Sequence, residues 1–173
     1  MKKIICIGNM FIKEDAAGPL VCQRLKNVSL PDGVELIDGG MGGLNLLSQV
    51  EDAEQVVFVD AVHGFTQQPG VMVLDREAAV ECATSVYDHA AGLSYLLKVL
   101  PSVITGTIPE IMLVGVEGNP TPSLVKKAAE LAIELCLTHE QGLSASSAEK
   151  PTPMHRDGTE RPIRDPNLST QSS

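Results

Sequence analysis

The sequence predicts an α/β fold: a three-layer α/β/α sandwich with a mixed, mostly parallel five-stranded sheet. Short apolar runs that end at Gly or Asp alternate with longer stretches whose apolar residues recur at helical spacing, which is typical of strands joined by helices. Aromatic residues make up only 3% of the chain and Trp is absent. The core must therefore be built from aliphatic side chains, as in parallel sheets that are covered on both faces.

The predicted elements follow one another with short connections. The predicted strands cover residues 3–7, 34–37, 55–59, 71–74 and 111–116. The predicted helices cover residues 16–27, 44–50 and 89–99, and a last helix starts at Thr121. Because the link between the third and fourth strands is too short for a helical crossover, we expect the fourth strand to run antiparallel to its neighbour.

One folded domain is expected over residues 1–140, followed by a polar tail over residues 141–173. The tail is rich in Ser, Thr and Pro, and it cannot bury enough apolar surface to offset the entropy of ordering, so we expect it to be flexible. No apolar stretch reaches the roughly 20 residues that span a bilayer, and the apolar run that starts the chain is too short for a signal peptide. We expect a cytoplasmic protein without membrane contact, and we expect a monomer.

Charge and motif content exclude several functional classes. The formal net charge is −9, from 13 basic and 22 acidic residues, which argues against nucleic-acid binding because phosphates require clustered Lys and Arg. The chain has no dinucleotide fingerprint, phosphate-binding loop, Gly-x-Ser-x-Gly elbow or Cys-x-x-Cys pair. The cysteines that fall in predicted strands and helices are interpreted as small core residues: Cys6, Cys22 and Cys136.

Several polar residues follow the predicted strands, at the edge where an open α/β sheet binds its ligands. They are Asn9, Glu14, Asp15, Asp38, Asp60, His63, Glu117 and Asn119, and His89 opens a predicted helix near the same edge. Carboxylates that gather at one edge repel one another unless a cation or shared protons relieve the repulsion. Two carboxylates with one imidazole would suit a first-row divalent metal and leave positions open for water or for atoms of a partner.

Five short motifs occur in order along the predicted domain. They are Cys6-Ile7-Gly8-Asn9 with Glu14-Asp15-Ala16-Ala17-Gly18-Pro19, Asp38-Gly39-Gly40, Val59-Asp60-Ala61, Asp88-His89-Ala90-Ala91-Gly92-Leu93, and Leu113-Val114-Gly115-Val116-Glu117. Each motif alone has little specificity, but their order and spacing are maintained from about Lys3 to Leu137. Together they resemble the family of [NiFe] hydrogenase maturation endopeptidases, which process the C-terminus of the hydrogenase large subunit.

The resemblance implies a function and a set of site residues. Proteins of this family cut a C-terminal peptide from a hydrogenase large-subunit precursor after nickel has been installed in it. Matched position by position, Asp15, Asp60 and His89 are expected to form the catalytic site and to bind the metal, with nickel supplied by the precursor. The segment expected to contact the substrate consists of Asp38, Gly39 and Gly40. The mixed sheet of the family agrees with the sheet predicted from the residues.

Alternative roles are open at each of these positions. Asp15 could instead cap the helix that follows it, Asp60 could be a turn residue, and His89 could cap a helix or pair locally. His63 is a further candidate ligand, although the family pattern does not support it and a solvated loop position is the alternative.

The chain departs from the family pattern in two places, and the second departure leaves the peptidase function open to an alternative. Many relatives have Asp-Asp where this chain has Glu14-Asp15, and many have a Gln-Pro pair where it has Glu117-Gly118-Asn119-Pro120. One alternative is a non-proteolytic relative that binds a metal or a partner during maturation, and a weaker one is a nucleotide-binding domain. For the peptidase, either a metal-activated water or a carboxylate base would start the attack on the peptide bond.

Overall fold

Five strands form one sheet in the computed structural model, which describes residues 1–83 and 91–138. The strands are β1 (Lys2–Cys6), β2 (Val34–Asp38), β3 (Gln55–Val62), β4 (Gly70–Asp75) and β5 (Glu110–Glu117). Their order is β2-β1-β3-β5-β4, and β4 runs antiparallel to β5 while the other pairs are parallel. The mixed five-stranded sheet and its antiparallel fourth strand confirm the predicted topology.

Helices cover both faces of this sheet. They are α1 (Ala17–Leu25), α2 (Leu47–Glu51), α3 (Arg76–Ala83), α4 (Ala91–Val103) and α5 (Pro122–Thr138). The helices α1 and α5 pack together on one face, and α3 and α4 pack together on the other, where α2 also lies. The predicted three-layer α/β/α sandwich is therefore confirmed.

Side chains of the central strands alternate between two apolar cores. In β1, Ile4 faces the core beneath α1 and α5, whereas Ile5 faces the core beneath α4. The strand β3 repeats this alternation with Val57 and Phe58, and all eight of its residues are buried. Because successive residues of a strand point to opposite faces, one continuous apolar run supplies both cores.

Two differences from the predicted elements have identifiable physical causes. The strand β3 continues three residues beyond Val59, because β5 still pairs with it after β1 has ended, and the last pair joins Val62 to Glu117. The helix α3 was not predicted. It begins after Asp75, whose Oδ1 accepts a hydrogen bond from the Ala78 N–H at 2.8 Å, as an N-cap residue does.

The helix α1 lies very close to the sheet at Gly18. A Cβ atom added to Gly18 would lie 1.9 Å from the carbonyl oxygen of Ile7 and 2.7 Å from that of Val59. Because both oxygens belong to the backbone, no side-chain movement could make room for it, and only Gly permits this approach. The contact fixes the start of α1, and the loop before it, against β1 and β3.

The three cysteines that were interpreted as core residues are buried and form no disulfide. The thiols of Cys6 and Cys22 hydrogen-bond to each other. This bond together with burial raises the pKa of Cys6, whereas the same bond lowers the pKa of Cys22 to about 7. All three side chains belong to the apolar core beneath α1 and α5, so their predicted place in the core is confirmed.

The predicted tail over residues 141–173 lies outside the described residues, so the domain boundary at residue 140 stays a prediction. Within the part of the chain that is described, no helix combines the length and the apolar character needed to cross a bilayer.

Candidate active site

The carboxyl ends of four parallel strands meet at one edge of the sheet. Cys6, the last residue of β1, pairs with Asp38 of β2 and with Val59 of β3. The next residue of β3, Asp60, pairs with Gly115 of β5. The loops that follow these strands therefore lie at the same edge, where the sequence predicted the functional residues.

Asp60 is a buried carboxylate inside β3 rather than a turn residue. It lies one position beyond the last residue that pairs with β1, and only 5% of its surface is exposed. Its Oδ1 accepts a hydrogen bond from the Ala61 N–H at 2.8 Å. Burial raises the pKa of Asp60 well above its ordinary value, and the negative charge of Asp15 raises it further. The surroundings therefore favour the protonated acid unless a cation balances the charge.

Asp15 holds the loop that follows β1 instead of capping α1. It ends a short 3-10 turn (Lys13–Asp15), and its Oδ2 accepts a hydrogen bond from the Asn9 N–H at 2.9 Å. The N-cap residue of α1 is Ala16, which offers no side-chain cap. The capping alternative for Asp15 is therefore wrong, and its carboxylate points back toward the end of β1.

Together Asp15 and Asp60 form an acid pair, close enough for the charge of Asp15 to raise the pKa of Asp60. One oxygen of each carboxylate accepts a backbone N–H, and the second oxygen of each has no hydrogen bond to another described residue. Two such oxygens suit a hard or borderline divalent cation. Among residues 1–83 and 91–138, no cluster of three or more His, Cys, Asp or Glu side chains forms a complete metal site.

The third predicted ligand, His89, lies outside the described residues, so its role stays a prediction. The helix α4 begins at Ala91, two residues later in the sequence. A Cβ added to Gly92 would lie 3.3 Å from the Cα of Gly43, so the start of α4 packs against the loop after β2. That loop joins the β1 loop through a 2.7 Å hydrogen bond from the Gly8 N–H to the Gly40 carbonyl.

The segment Asp38-Gly39-Gly40 turns the chain at the end of β2. The Asp38 side chain is 57% exposed and forms an ion pair with Lys26, with 3.3 Å between Oδ2 and Nζ. Gly39 is buried, and an added Cβ would lie 2.9 Å from Cγ2 of Ile5. Gly40 has a φ of +57° and open space where a Cβ would be, so its backbone is accessible. Asp38 and Gly40 are therefore the members of this segment that a ligand can reach.

Glu117 organises the loop between β3 and β4, a role that the sequence did not reveal. Its Oε1 accepts a hydrogen bond from the Gly64 N–H and its Oε2 one from the Phe65 N–H, both at 3.0 Å. His63 is half-buried where that loop begins, and the two other strand-end candidates, Glu14 and Asn119, are exposed. The departure from the family pattern at Glu117 thus supports a neighbouring loop.

The sequence of this chain is similar to the sequences of known hydrogenase maturation proteins. Residues 19–139 match the family model described as "Hydrogenase maturation protease". The chain is 28% identical to the hydrogenase 2 maturation protease of Escherichia coli over 159 residues, which cover 84% of this chain and 95% of that protein. It is 31% identical to the hydrogenase expression/formation protein HupM of Azotobacter chroococcum over 161 residues, which cover 84% of this chain and 75% of that one.

The fold of this chain is similar to the solved structures of hydrogenase maturation proteases. The hydrogenase-maturating endopeptidase HybD from E. coli superposes with a TM-score of 0.65 at 30% identity, covering 82% of this chain and 93% of that one. A [NiFe] hydrogenase maturation protease from Thermococcus kodakarensis, with a TM-score of 0.58 at 24% identity over 78% of this chain and 88% of that one, shares the fold. The chain therefore belongs to the hydrogenase maturation protease family and is a peptidase of that family.

Proposed function

We propose that this protein is the endopeptidase that removes the C-terminal extension from a nickel-loaded [NiFe] hydrogenase large-subunit precursor. Membership of the hydrogenase maturation protease family supports the peptidase activity and the hydrogenase client. The observation that carries the proposal is the acid pair, in which the buried Asp60 has a raised pKa beside Asp15. Carboxylates with perturbed pKa values at the carboxyl edge of an α/β sheet are characteristic of functional sites.

Nickel belongs to the substrate in this proposal, because it arrives inside the precursor. We assign its contacts to Asp15, Asp60 and His89, since carboxylate oxygen and imidazole nitrogen both suit first-row divalent metals. A divalent ion held at this edge would polarise a peptide carbonyl or lower the pKa of a bound water. Asp60 must lose its proton to contact a cation, so the raised pKa makes recognition sensitive to pH.

Asp60 also has the properties of a general base. Its raised pKa makes its carboxylate a stronger base than an exposed carboxylate would be. Because Oδ1 is held by the Ala61 N–H, Oδ2 is the available oxygen, and it accepts a proton only while it does not contact the metal. A water that gives its proton to Oδ2 attacks the scissile carbonyl, and the same proton then passes to the departing amine. If the attacking water is instead bound to the metal, the Asp60 carboxylate would accept the proton of that water in the same way.

The turn at Asp38-Gly39-Gly40 is proposed as the contact for the substrate backbone. Gly40 leaves open space beside its Cα, so an extended peptide can approach its backbone closely. The exposed Asp38 carboxylate can accept a hydrogen bond from that peptide after releasing Lys26, because a surface ion pair contributes only about 0–1 kcal/mol. This segment would therefore align the cleavage site beside the acid pair.

A cytoplasmic location fits the described cysteines. Cys6, Cys22 and Cys136 are free thiols, and cysteines remain reduced mainly in the cytosol. We propose that the protein acts there as a monomer on the large-subunit precursor before that subunit assembles.

The mass of the precursor tests the proposed activity against the non-proteolytic alternative. A C-terminally extended large-subunit precursor from the same organism, loaded with nickel, is incubated with the protein and measured by mass spectrometry. We expect a shorter large subunit and a released C-terminal peptide, and neither product should form when this protein is left out. An unchanged precursor mass, with the two proteins bound to each other, would favour a maturation factor that does not cut.

Replacement of His89 by Ala is expected to slow processing by about 100-fold, because the third contact to the precursor's metal is removed. Folding should be unaffected, which circular dichroism and the melting temperature can verify. His63→Ala is the matched control. It also removes an imidazole, from the loop after β3, and we assign that imidazole no role in cleavage. Equal processing by the His89 variant and the wild type would remove His89 from the site.

A further inference from the structure

Large apolar side chains are exposed beside the acid pair. The loop after β1 presents Met10, Phe11 and Ile12, and the loop after β2 presents Met41 and Leu44; we call these five residues the apolar rim. Phe11 is 97% exposed and Met41 is 77% exposed. In the described parts of the chain, the rim holds five of the eleven large apolar residues that are exposed. Large apolar side chains exposed together on joined loops are characteristic of an interaction site.

The β1 part of the apolar rim is held in place by hydrogen bonds that lead to Asp15. The Phe11 N–H donates to Oδ1 of Asn9 at 3.0 Å, and the Asn9 N–H donates to Oδ2 of Asp15. The Ile12 N–H donates to the Asn9 carbonyl at 3.1 Å, and the Asp15 N–H donates to the Ile12 carbonyl at 3.0 Å. An apolar loop ordered in this way loses little conformational entropy when a partner covers it.

The β2 part of the apolar rim is joined to the same loop. The Gly8 N–H donates to the Gly40 carbonyl at 2.7 Å, and the Gly42 N–H donates to the Gly39 carbonyl at 3.1 Å. Met41 is thus displayed at the tip of a closed turn, directly after the residues proposed to contact the substrate. Both parts of the rim therefore border the candidate active site.

We propose that the apolar rim is the docking surface for the large-subunit precursor, and that it covers an apolar segment of the precursor next to its metal centre. This inference rests on the proposed function. Any protein that brings a metal to Asp15 and Asp60 must lie over the loops that carry the rim. Met10, Phe11 and Ile12 carry no charge, so they match an apolar segment rather than a charged one. A second copy of this chain docked there would cover the acid pair.

The test compares Phe11→Ser and Met41→Ser with the control Leu137→Ser. Leu137 is 50% exposed and lies at the opposite edge of the sheet, because Lys2 at the start of β1 donates its Nζ to the carbonyl of the neighbouring Cys136. Binding of the nickel-loaded precursor and its steady-state cleavage are measured for each variant. Replacement of an aromatic anchor residue in an interface often weakens binding by about tenfold or more. We expect about tenfold weaker binding and about tenfold higher KM for each rim variant, with kcat changed far less. The Leu137 variant should match the wild type.

The two measurements separate this inference from the proposed function. Unchanged binding and KM in both rim variants, with normal cleavage by the wild type, would overturn the docking surface alone. Wild-type protein that binds the precursor through the rim without cutting it would support the surface and contradict the peptidase assignment. A wild type that neither binds nor cuts would contradict both. Sedimentation that shows a dimer in the wild type and a monomer in Phe11→Ser would assign the rim to a second copy and overturn the proposal.

Discussion

Replacement of Asp60 by Asn should slow precursor cleavage by about 1,000-fold and at the same time raise the melting temperature at neutral pH. The activity falls because the variant cannot contact a cation through a carboxylate or accept a proton, and general-base residues contribute about 10²–10⁴-fold. The stability rises because the variant lacks a carboxyl group whose ionisation in the unfolded chain favours unfolding.

The gain in stability should depend on pH in a defined direction. The pKa of Asp60 is raised in the folded protein, by burial first and by Asp15 second, above its ordinary value of about 3.9 in the unfolded chain. Below that value both states are protonated and Asp60 costs nothing. As the pH rises above it, the unfolded chain loses a proton that the folded protein keeps, so the wild type loses stability until the folded pKa is passed. The Asn variant escapes this loss, and its advantage grows over the same range.

Thermal melts at several pH values, together with cleavage assays, measure both effects. Asp32→Asn is the control, because Asp32 is an exposed acid in the turn before β2 and its replacement should change neither quantity. An Asp60→Asn protein that cleaves within about tenfold of the wild-type rate would contradict the catalytic role. A variant that melts at a lower temperature than the wild type would contradict the destabilising effect assigned to the buried Asp60 carboxyl group.

The largest effect on stability is expected for Gly18→Ala. The added Cβ would lie 1.9 Å from the Ile7 carbonyl oxygen and 2.7 Å from that of Val59, so α1 must move away from the sheet. Overpacking against rigid neighbours typically costs 1–3 kcal/mol, and contact with two backbone atoms places this variant at about 3 kcal/mol or above. Cleavage should also slow, because the displaced helix carries the Asp15 loop with it.

Urea unfolding of Gly18→Ala and of Gly106→Ala measures the cost. Gly106 has nothing within 4 Å of an added Cβ, so its replacement should change the free energy of unfolding by less than about 1 kcal/mol. Both variants lose the same freedom in the unfolded chain, and the difference between them therefore isolates the clash. Equal stability of the two variants would show that α1 does not need this close approach.

The sheet was predictable from the sequence because its signals are local. A continuous apolar run such as β3 can only be buried on both faces, and the short link before β4 requires an antiparallel pair. The helix α3 was missed because it is short, although Asp75 supplied a recognisable N-cap signal. The three extra residues of β3 were missed for a different reason. They depend on pairing with β5, which lies far away in the sequence.

The site was predictable in its parts and less so in its geometry. Strand-end position identified Asp15 and Asp60, but the burial that raises the pKa of Asp60 arises from packing. The hydrogen bond that turns Asp15 toward Asn9, instead of toward the helix, likewise depends on the folded loop. The exposure of Phe11 could not be predicted, since an apolar residue in a loop is as often buried beneath it as displayed on it. The run Met10-Phe11-Ile12 between polar residues was the available signal.

Cleavage of nickel-loaded and nickel-free precursor, measured side by side, tests the central claim most directly. The proposed contacts of the acid pair and His89 require the metal, so the wild type should cut the loaded precursor and leave the nickel-free form intact over the same time. Nickel added to the intact precursor in a form that it incorporates should restore cutting. Equal rates on the two precursors would contradict a site that recognises its substrate through nickel.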